Sequence, residues 1–535
     1  MPNNEGILGN TLKFENSGVS DHVYRSDSGL IQKHIECYLH RMKNILSLMI
    51  PVLLIISCGG GEEISVNVAS SATQVATQAA TQVATQAATQ AATQAATQAA
   101  TQAATQTATQ AASTTGTTGQ QDLKQMLSVV KVPSPAFIET EGFARFSSTE
   151  ETAFASALND HFYSVETRMG ISAAIFDGQK LWSGTEGFAR ENIPMQVGTP
   201  ISVMSSSKTF LSALILRQID NGLYGLDDRL SDLLSGHRGY EKLNPNIIRD
   251  ATVEELLLMT GGHADKDTSS GGSNLNYVVA KPNWVPSDTI TLTTELARPP
   301  GTFMYSNTSS YLLGLIAQYQ SQTDLNALYQ SELLDRLSIQ AGLRPVIEIP
   351  DNMALPYADY SKYGGAPGWG DLTRMIPIGA SPGYKMNYFE QDGRLAWSAA
   401  GIVSTPENMA RWAYELMSPN GNALSQMSRQ LLTTSFIDKA ITLGGVTQKY
   451  GYHLAEREYK LSDGSIFVTY GHPGGGGGYG SVLYYSPTLD IAVSVVANSE
   501  LGYQRGQCGD SRTGDFANPL VCTARELFQE ASKSR

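Results

Sequence analysis

The sequence predicts an α+β fold in which an antiparallel sheet, flanked by an N-terminal and a C-terminal helix, carries a mostly helical lobe inserted in the middle of the chain. Three patterns predict it: a helix and a hairpin open the globular part, three strand-like runs and a helix close it, and helical periodicity dominates between them. Both ends would share one sheet, and a ligand-binding cleft would separate the lobes.

The opening elements belong to a domain that we place at residues 122–535. Residues 148–165 begin with Ser148 and Thr149 ahead of two glutamates, which is a helix-capping signature, and continue with apolar residues at helical spacing. Residues 170–178 and 179–184 look like strands. The Asp177-Gly178 dipeptide between them is typical of a hairpin turn.

The closing elements repeat this pattern in reverse. Residues 465–471, 480–486 and 490–497 are rich in β-branched and aromatic side chains and are bounded by Gly, Pro or Asn, which predicts three strands. Residues 523–533 then carry a helical pattern. Helix and hairpin at one end, with strands and a helix at the other, predict that the two ends pair in one sheet.

The pattern of residues 42–58 is typical of an export signal. Met42 and Lys43 precede twelve uncharged, mostly apolar residues, 45–56, a run too short for a membrane-spanning helix, which needs about 20 residues. Residues 55–58 resemble the lipobox of bacterial lipoproteins, which implies that residues 42–57 are a signal peptide and that Cys58 bears the lipid. An ordinary secretory signal or a buried apolar segment is the alternative. Residues 1–41 would then reflect a mis-assigned start, with Met42 as the true one.

Residues 58–121 are expected to be a disordered spacer. Residues 72–112 repeat Ala, Thr and Gln without charge or aromatic side chains, so ordering them would bury too little apolar surface to offset the entropy lost. The expectation is an exported, membrane-anchored lipoprotein, periplasmic or on the cell surface, whose soluble domain the tether holds away from the membrane.

Charge and cysteine content limit the partners. A formal net charge of -13 argues against a nucleic-acid partner, because the sequence has no cluster of Lys and Arg residues that could neutralise phosphates. The four cysteines do not have a spacing typical of zinc sites, so no metal is expected. Cys508 and Cys522 could pair in an oxidising compartment, although sequence does not reveal the geometry a disulfide requires.

The first motif that carries chemistry is Ser205-Ser-Ser-Lys208 at the start of an apolar helix pattern. Residues i and i+3 lie on the same side of a helix, so Lys208 could take the proton of the Ser205 hydroxyl, while the helix N-terminus favours an oxyanion. The alternative is a helix cap followed by a surface lysine.

Two further motifs lie far downstream. Tyr305 and Asn307 follow a Pro-Gly turn and could reach one site together, although a capping Asn and a partly buried Tyr are the alternative. His472, Pro473 and a glycine run stand where a strand ends, and glycines let a substrate approach the backbone closely. A phosphate-binding loop would lead into a helix and carry a Lys, so we discount that interpretation.

These motifs, in this order, resemble the serine β-lactamase and penicillin-binding protein superfamily, in the branch that holds class C β-lactamases, D-alanyl-D-alanine carboxypeptidases and related esterases. The resemblance covers about residues 135–530. Supporting stretches are residues 226–234, 252–262, 299–314 and 399–406.

The resemblance implies a role for each motif residue. Ser205 is the acylated nucleophile, and Lys208 and Tyr305 share proton transfer. Asn307 contacts the substrate or Lys208, and His472 polarises Tyr305 or meets the substrate. In the glycine run, Gly474 belongs to the substrate-binding motif, and the backbone N–H groups of Gly475 and Ser205 form the oxyanion hole. The family needs no cofactor.

Departures from the family pattern bear on the substrate. Pro473 replaces a hydroxyl that meets the substrate carboxylate in penicillin-recognising members, and His472 replaces a permanently charged Lys, so recognition of an anionic substrate is weakened. We therefore expect hydrolysis of small ester, amide or peptide substrates, with esterase or D-amino-peptidase action ahead of β-lactamase action. A non-catalytic cell-wall-binding protein is the alternative from another class. A Ser-His-Asp hydrolase would need a Gly-x-Ser-x-Gly elbow before a helix, which the sequence does not offer.

Overall fold

A computed structural model describes the second of two units into which the chain divides, residues 1–114 and 115–535. The described residues are 142–535, except 165–167, 191, 238, 241–242, 244–246, 248–249, 267–284, 292, 294–297, 345–351, 359–376, 382–383, 389–392, 438–440, 444–445, 461–465, 477 and 500–518. The start, signal peptide, Cys58 and spacer predicted above lie outside them. Within the described part, no helix combines the length and apolar content that crossing a membrane requires.

Along the chain, most helices of the described residues come between the strands that open the domain and the strands that close it. Their bounds are α1 Ser148–Tyr163, α2 Lys208–Asp220, α3 Leu230–Leu234, α4 Val253–Leu257, α5 Pro286–Ile290, α6 Asn307–Ser321, α7 Leu325–Leu328, α8 Asp335–Leu337, α9 Gly393–Ala400, α10 Pro406–Met417, α11 Gln426–Thr434 and α12 Pro519–Ser532. A 3-10 turn, Met204–Ser207, leads into α2, and a π-helical turn, Tyr329–Leu334, joins α7 to α8.

The strands form a nine-stranded sheet and two small ones. Their bounds are β1 Gly170–Phe176, β2 Leu181–Arg190, β3 Ile193–Pro194, β4 Ile201–Ser202, β5 Ala341–Leu343, β6 Tyr357–Ala358, β7 Pro377–Ser381, β8 Tyr384–Tyr388, β9 Ile402–Ser404, β10 Ile441–Leu443, β11 Val446–Tyr450, β12 Ala455–Lys460, β13 Ile466–Gly476, β14 Tyr479–Ser486 and β15 Ile491–Ala497. The main sheet has the order β10-β11-β12-β13-β14-β15-β1-β2-β3, and the small sheets are β4-β9-β5 and β6-β8-β7.

The two ends of the domain meet in the main sheet. Strand β1 pairs antiparallel with β2 on one side and with β15 on the other, with Ile171 opposite Ala497 and Phe176 opposite Ala492. In the turn between β1 and β2, the Asp177 carboxylate accepts from the backbone N–H groups of the next residues, and Gly178 has a φ of +89°. The predicted α+β class, with an antiparallel sheet built from both chain ends and a helical insertion, is confirmed.

Alternation along the central strands explains the layers. Ile171, Ala173 and Ile175 belong to a core cluster shared with α1 and α12, whereas Ala174 and Phe176 belong to the larger core shared with α10 and the helical lobe. Successive side chains of a strand point to opposite faces, so a strand covered on both faces must be apolar throughout. All seven residues of β1 are buried accordingly.

Helix α1 begins at the predicted residue, Ser148, but its N-cap is Ser147. The Ser147 side chain accepts from the Glu150 backbone N–H, and the Glu150 carboxylate accepts from the Ser147 backbone N–H, at 3.3 and 2.9 Å. This reciprocal pair satisfies two N–H groups of the first turn, which otherwise lack partners. The helix ends at Tyr163, two residues before the predicted end.

One carboxylate joins α10 to the β14–β15 hairpin. Asp490 accepts hydrogen bonds from Tyr414 Oη, Ser418 Oγ, Asn420 Nδ2 and Tyr485 Oη at 2.8 to 3.2 Å. Its φ of +50° lies in the left-handed region, which Asp tolerates better than most residues. The hairpin turn and the end of α10 therefore depend on one side chain.

We expect Asp490→Ala to lower the free energy of unfolding by roughly 2 to 4 kcal/mol, because partly buried donors lose their acceptor. Chemical denaturation measures the change. Asp490→Asn is the matched control, since Asn tolerates the same φ and keeps one acceptor oxygen, and it should cost less. Equal stability of Asp490→Ala and the parent would contradict this role.

Candidate active site

The turn that carries Ser205 is strained at one residue. Strand β4 ends at Ser202, and the 3-10 turn begins at Met204, a buried residue with a φ of +48°. A non-glycine residue in the left-handed region costs energy and persists only where the surroundings enforce it, which is common at functional sites. Ser205 follows directly and is partly exposed, so its hydroxyl stands at the N-terminal end of α2.

Lys208, the first residue of α2, is completely buried, and its amine contacts three acceptors among the described residues. Nζ donates to Ser205 Oγ at 3.2 Å, to Asn307 Oδ1 at 2.7 Å and to the Ala399 backbone oxygen at 2.9 Å. An ammonium has three hydrogens, so these contacts use all of them. They join residues 204–207, the predicted nucleophile turn, to the start of α6 and the end of α9.

Tyr305 approaches Ser205 from the other side. Its hydroxyl donates to Ser205 Oγ at 3.0 Å, and its ring centroid lies 5.0 Å from Lys208 Nζ. The segment is held by a backbone hydrogen bond from Met304 to Met259 and leads directly into α6. An amine and a phenol thus converge on one hydroxyl, which proton transfer requires.

Asn307 makes one of the two contacts predicted for it. It is the first residue of α6, and its amide oxygen accepts from Lys208. Its side chain therefore fixes the amine. The predicted contact with a substrate stays a prediction.

Strand β13 runs directly beside Ser205. A Cβ on Gly474 would lie 2.4 Å from the Val203 backbone oxygen, 2.5 Å from Ser481 Oγ and 2.8 Å from Ser205 N, so only glycine fits there. Gly475 follows and is exposed. The predicted oxyanion pair, the N–H groups of Ser205 and Gly475, thus belongs to two segments in close contact.

Two buried hydroxyls connect these segments. Ser206 Oγ lies 2.7 Å from the His472 backbone oxygen and 2.8 Å from Ser481 Oγ, and Ser481 Oγ donates to the Val203 backbone oxygen at 2.6 Å. Buried polar groups of this kind are costly unless they are hydrogen-bonded, so the network fixes how β13 and β14 sit against the turn.

His472 lies behind the site. It is 1% exposed, its ring nitrogens contact Tyr450 Oη at 3.0 Å and the Pro473 backbone oxygen at 2.5 Å, and its ring lies 6.0 Å from that of Tyr305. Burial, and secondarily the Lys208 charge, lower the pKa of His472 to about 3. The imidazole is therefore neutral at neutral pH and meets Tyr305 through a ring contact.

Two residues that contact the site were not predicted from the sequence. Tyr450 ends β11 and hydrogen-bonds His472, but nothing in its sequence neighbourhood distinguishes it from an ordinary strand tyrosine. Ala399 contributes only a backbone oxygen, for which side-chain patterns give no signal. Elsewhere, Cys522 is disulfide-bonded, whereas Cys508 lies outside the described residues, so their pairing stays a prediction.

A family model described as Beta-lactamase matches residues 159–510, which include Ser205, Lys208, Tyr305 and His472. The chain belongs to the β-lactamase family. Penicillin-binding protein 4 of Amycolatopsis lactamdurans is 24% identical over 340 residues, 62% of this chain and 80% of that protein. The resemblance to the serine β-lactamase and penicillin-binding protein superfamily is confirmed.

Two solved structures share the fold of this chain. D-amino acid amidase from Ochrobactrum anthropi SV3, complexed with L-phenylalanine, is 18% identical with a TM-score of 0.55, covering 72% of this chain and 100% of the amidase. D-stereospecific amidohydrolase from Streptomyces sp. is 18% identical with a TM-score of 0.51, covering 68% and 97%. Family membership supports a serine hydrolase as the general class of activity.

We expect Gly474→Ala to reduce kcat for ester hydrolysis by roughly 100-fold or more, the effect of losing one oxyanion donor, because the added methyl would push β13 away from Ser205. Steady-state kinetics with a p-nitrophenyl ester measure it. Gly225→Ala is the control, since its Cβ would meet only Asp228, at 3.9 Å. Gly474→Ala with near-parental kcat would contradict the close approach.

Proposed function

We propose that the protein is a serine hydrolase that cleaves ester or amide bonds through an acyl-Ser205 intermediate, with esterase or D-amino-peptidase-like specificity. The observation that carries the proposal is the convergence of Lys208 Nζ and Tyr305 Oη on Ser205 Oγ, at 3.2 and 3.0 Å. Nucleophilic catalysis by a hydroxyl needs an adjacent base within this range.

The acceptors around Lys208 explain how it could act as that base. Two directions around Nζ are taken by the Asn307 and Ala399 oxygens, which only accept, and the third points at Ser205. In the neutral amine, the two hydrogens serve those oxygens and the lone pair faces the Ser205 hydroxyl. Lys208 can then take the proton directly, or hold Tyr305 as a phenolate that takes it.

Acylation then proceeds by attack of Ser205 Oγ on the carbonyl carbon. The developing oxyanion is stabilised by the N–H groups of Ser205 and Gly475, and Tyr305 returns the proton to the leaving oxygen or nitrogen. Water attacks the acyl-enzyme in a second step with the same groups in reversed roles. Apart from the attacking water, the proposed cycle uses side chains and backbone groups of this chain.

The substrate class is inferred from two sources. The names of two relatives, a D-amino acid amidase and a D-stereospecific amidohydrolase, favour amide bonds. Pro473 offers no hydroxyl, and the buried, neutral His472 offers no positive charge to a substrate carboxylate. Both features weigh against β-lactams and peptide C-termini as preferred substrates.

We further propose that Cys58 is lipid-modified and that residues 58–121 tether the domain to a membrane in the periplasm or at the cell surface. The support is the apolar run before Ser57-Cys58 and the uncharged repeat after it.

For the chemistry, we expect Ser205→Ala to lose hydrolysis of p-nitrophenyl esters and all labelling by a fluorescent fluorophosphonate, because no acyl or phosphonyl bond can form. Ser156→Ala, on the exposed face of α1, should behave as the parent. Ester turnover in Ser205→Ala equal to that of the parent would refute the proposal.

For the anchor, we expect Cys58→Ser to release the protein from the membrane fraction and to abolish incorporation of labelled palmitate, because the lipid attaches through the thiol. The control is Ser65→Ala, in the predicted spacer just after Cys58, which should keep both the membrane association and the palmitate label. Palmitate labelling that survives in Cys58→Ser would exclude this anchor.

A further inference from the structure

A small apolar cluster, separate from the two larger cores, includes the phenol that contacts Ser205. Its buried members are Met259, Tyr450 and Ala455. Three partly exposed side chains pack against them: Phe303, Tyr305 and Ile437. Of these three, Tyr305 donates to Ser205 Oγ at 3.0 Å. Phe303 and Ile437 have no part in the proposed chemistry, so their exposed apolar surface needs another explanation.

The contacts of Tyr450 place these side chains close together. The Phe303 ring lies 5.2 Å from the Tyr450 ring, and the Tyr305 ring lies 6.1 Å from it. The backbone N–H of Ile437 donates to the Tyr450 backbone oxygen at 3.0 Å. Tyr450 itself is fully buried, whereas its three neighbours each keep part of their surface exposed. The exposed apolar surface therefore lies next to the Tyr305 phenol.

The Tyr305 hydroxyl identifies the part of a substrate that meets this surface. In the proposed acylation, Tyr305 returns a proton to the leaving oxygen or nitrogen, so that atom must come within hydrogen-bonding distance of Oη. The acyl carbon is meanwhile at Ser205 Oγ, and its oxygen points to the N–H groups of Ser205 and Gly475. The group bonded to the leaving atom is therefore on the Tyr305 side, where Phe303 and Ile437 are exposed.

We propose that Phe303, together with Ile437, forms an apolar subsite for the leaving group, so that the enzyme prefers substrates with an alkyl or aryl leaving group. This inference rests on the proposed function and names the leaving group, which that function leaves open. An alkyl or aryl group that covers the exposed phenyl ring removes apolar surface from water, which is favourable. A leaving group as small as ammonia could not cover it.

Isomeric esters separate the leaving-group side of the site from the acyl side. Hexyl acetate and ethyl hexanoate have the same formula and nearly equal hydrophobicity, but the long chain belongs to the alcohol in one and to the acyl group in the other. Each is compared with ethyl acetate by the ratio of the kcat/KM values, measured by titration of the released acid. Hexanol and ethanol are similarly basic, so the leaving-group ratio reports contacts of the chain.

In the parent, kcat/KM for hexyl acetate should exceed that for ethyl acetate by roughly tenfold, since complete burial of one methylene contributes about fourfold and the chain is covered on one side only. In Phe303→Ala this ratio should fall to about twofold, while the ratio of ethyl hexanoate to ethyl acetate stays parental. Ile437→Ala should give an intermediate leaving-group ratio. The control is Phe188→Ala, which removes a 42% exposed ring from β2 and should equal the parent.

Three results overturn the inference. They are a parental leaving-group ratio near one, a ratio that stays parental in Phe303→Ala, and an equal fall of the leaving-group and acyl ratios, which would mean that Phe303 acts on the whole site. Absence of any Ser205-dependent hydrolysis contradicts the proposed function itself. Hydrolysis that depends on Ser205 but ignores the alcohol chain contradicts only the subsite, so the two failures are distinguishable.

A second measurement uses only the parent and does not depend on whether Phe303→Ala folds. An alcohol can replace water in deacylation: its oxygen bonds to the acyl carbon, the bond from that carbon to Ser205 Oγ breaks, and the alcohol proton returns to Oγ. With p-nitrophenyl acetate as acyl donor, hexanol should capture the acetyl group roughly tenfold better than ethanol at equal concentration, because its chain fills the same subsite. Equal yields of hexyl and ethyl acetate, determined by gas chromatography, overturn the inference.

Discussion

The burial of the Lys208 amine is the constraint on which the site depends. A buried ammonium loses several kcal/mol of hydration, which only well-placed acceptors can offset. Those acceptors come from three separate elements: Ser205 in the nucleophile turn, Asn307 at the start of α6, and the Ala399 carbonyl at the end of α9. Satisfying one amine therefore brings together segments that lie up to 191 positions apart in the chain.

The close approach of β13 to the nucleophile turn adds a second constraint. Only a residue without a Cβ can occupy position 474, because Val203, Ser481 and Ser205 already fill the space. The Ser206 and Ser481 hydroxyls then fix the separation through buried hydrogen bonds. The missing Cβ and the two hydroxyls thus hold β13 against the turn, and the backbone N–H groups of Ser205 and Gly475, which we propose as the oxyanion donors, belong to these two segments.

Local patterns predicted the parts of this architecture that depend on local physics. The strand-like runs on either side of the Asp177-Gly178 turn identified the hairpin, and the closing strand-like runs indicated the rest of the sheet, because each of these patterns depends on residues near one another in sequence. The 205–208 spacing placed a hydroxyl and an amine on one helix face. The positive φ of Met204, the Ala399 carbonyl and the Tyr450 hydroxyl could not be predicted, because each depends on contacts that only the complete fold creates.

The groups around Ser205 Oγ and the side chains behind Tyr305 come from different parts of the fold. Ser205, Lys208, Tyr305 and Asn307 all come from the turn and helices of the inserted part, where they hold one another. His472 and Tyr450 come from the sheet and approach the Tyr305 ring, with ring centroids 6.0 and 6.1 Å from it. The contacts of Lys208 with Ser205, Asn307 and Ala399 involve neither His472 nor Tyr450, so a substitution of either residue would act on the reacting groups through Tyr305. Residues in contact do not contribute additively, so its effect is expected to depend on Tyr305.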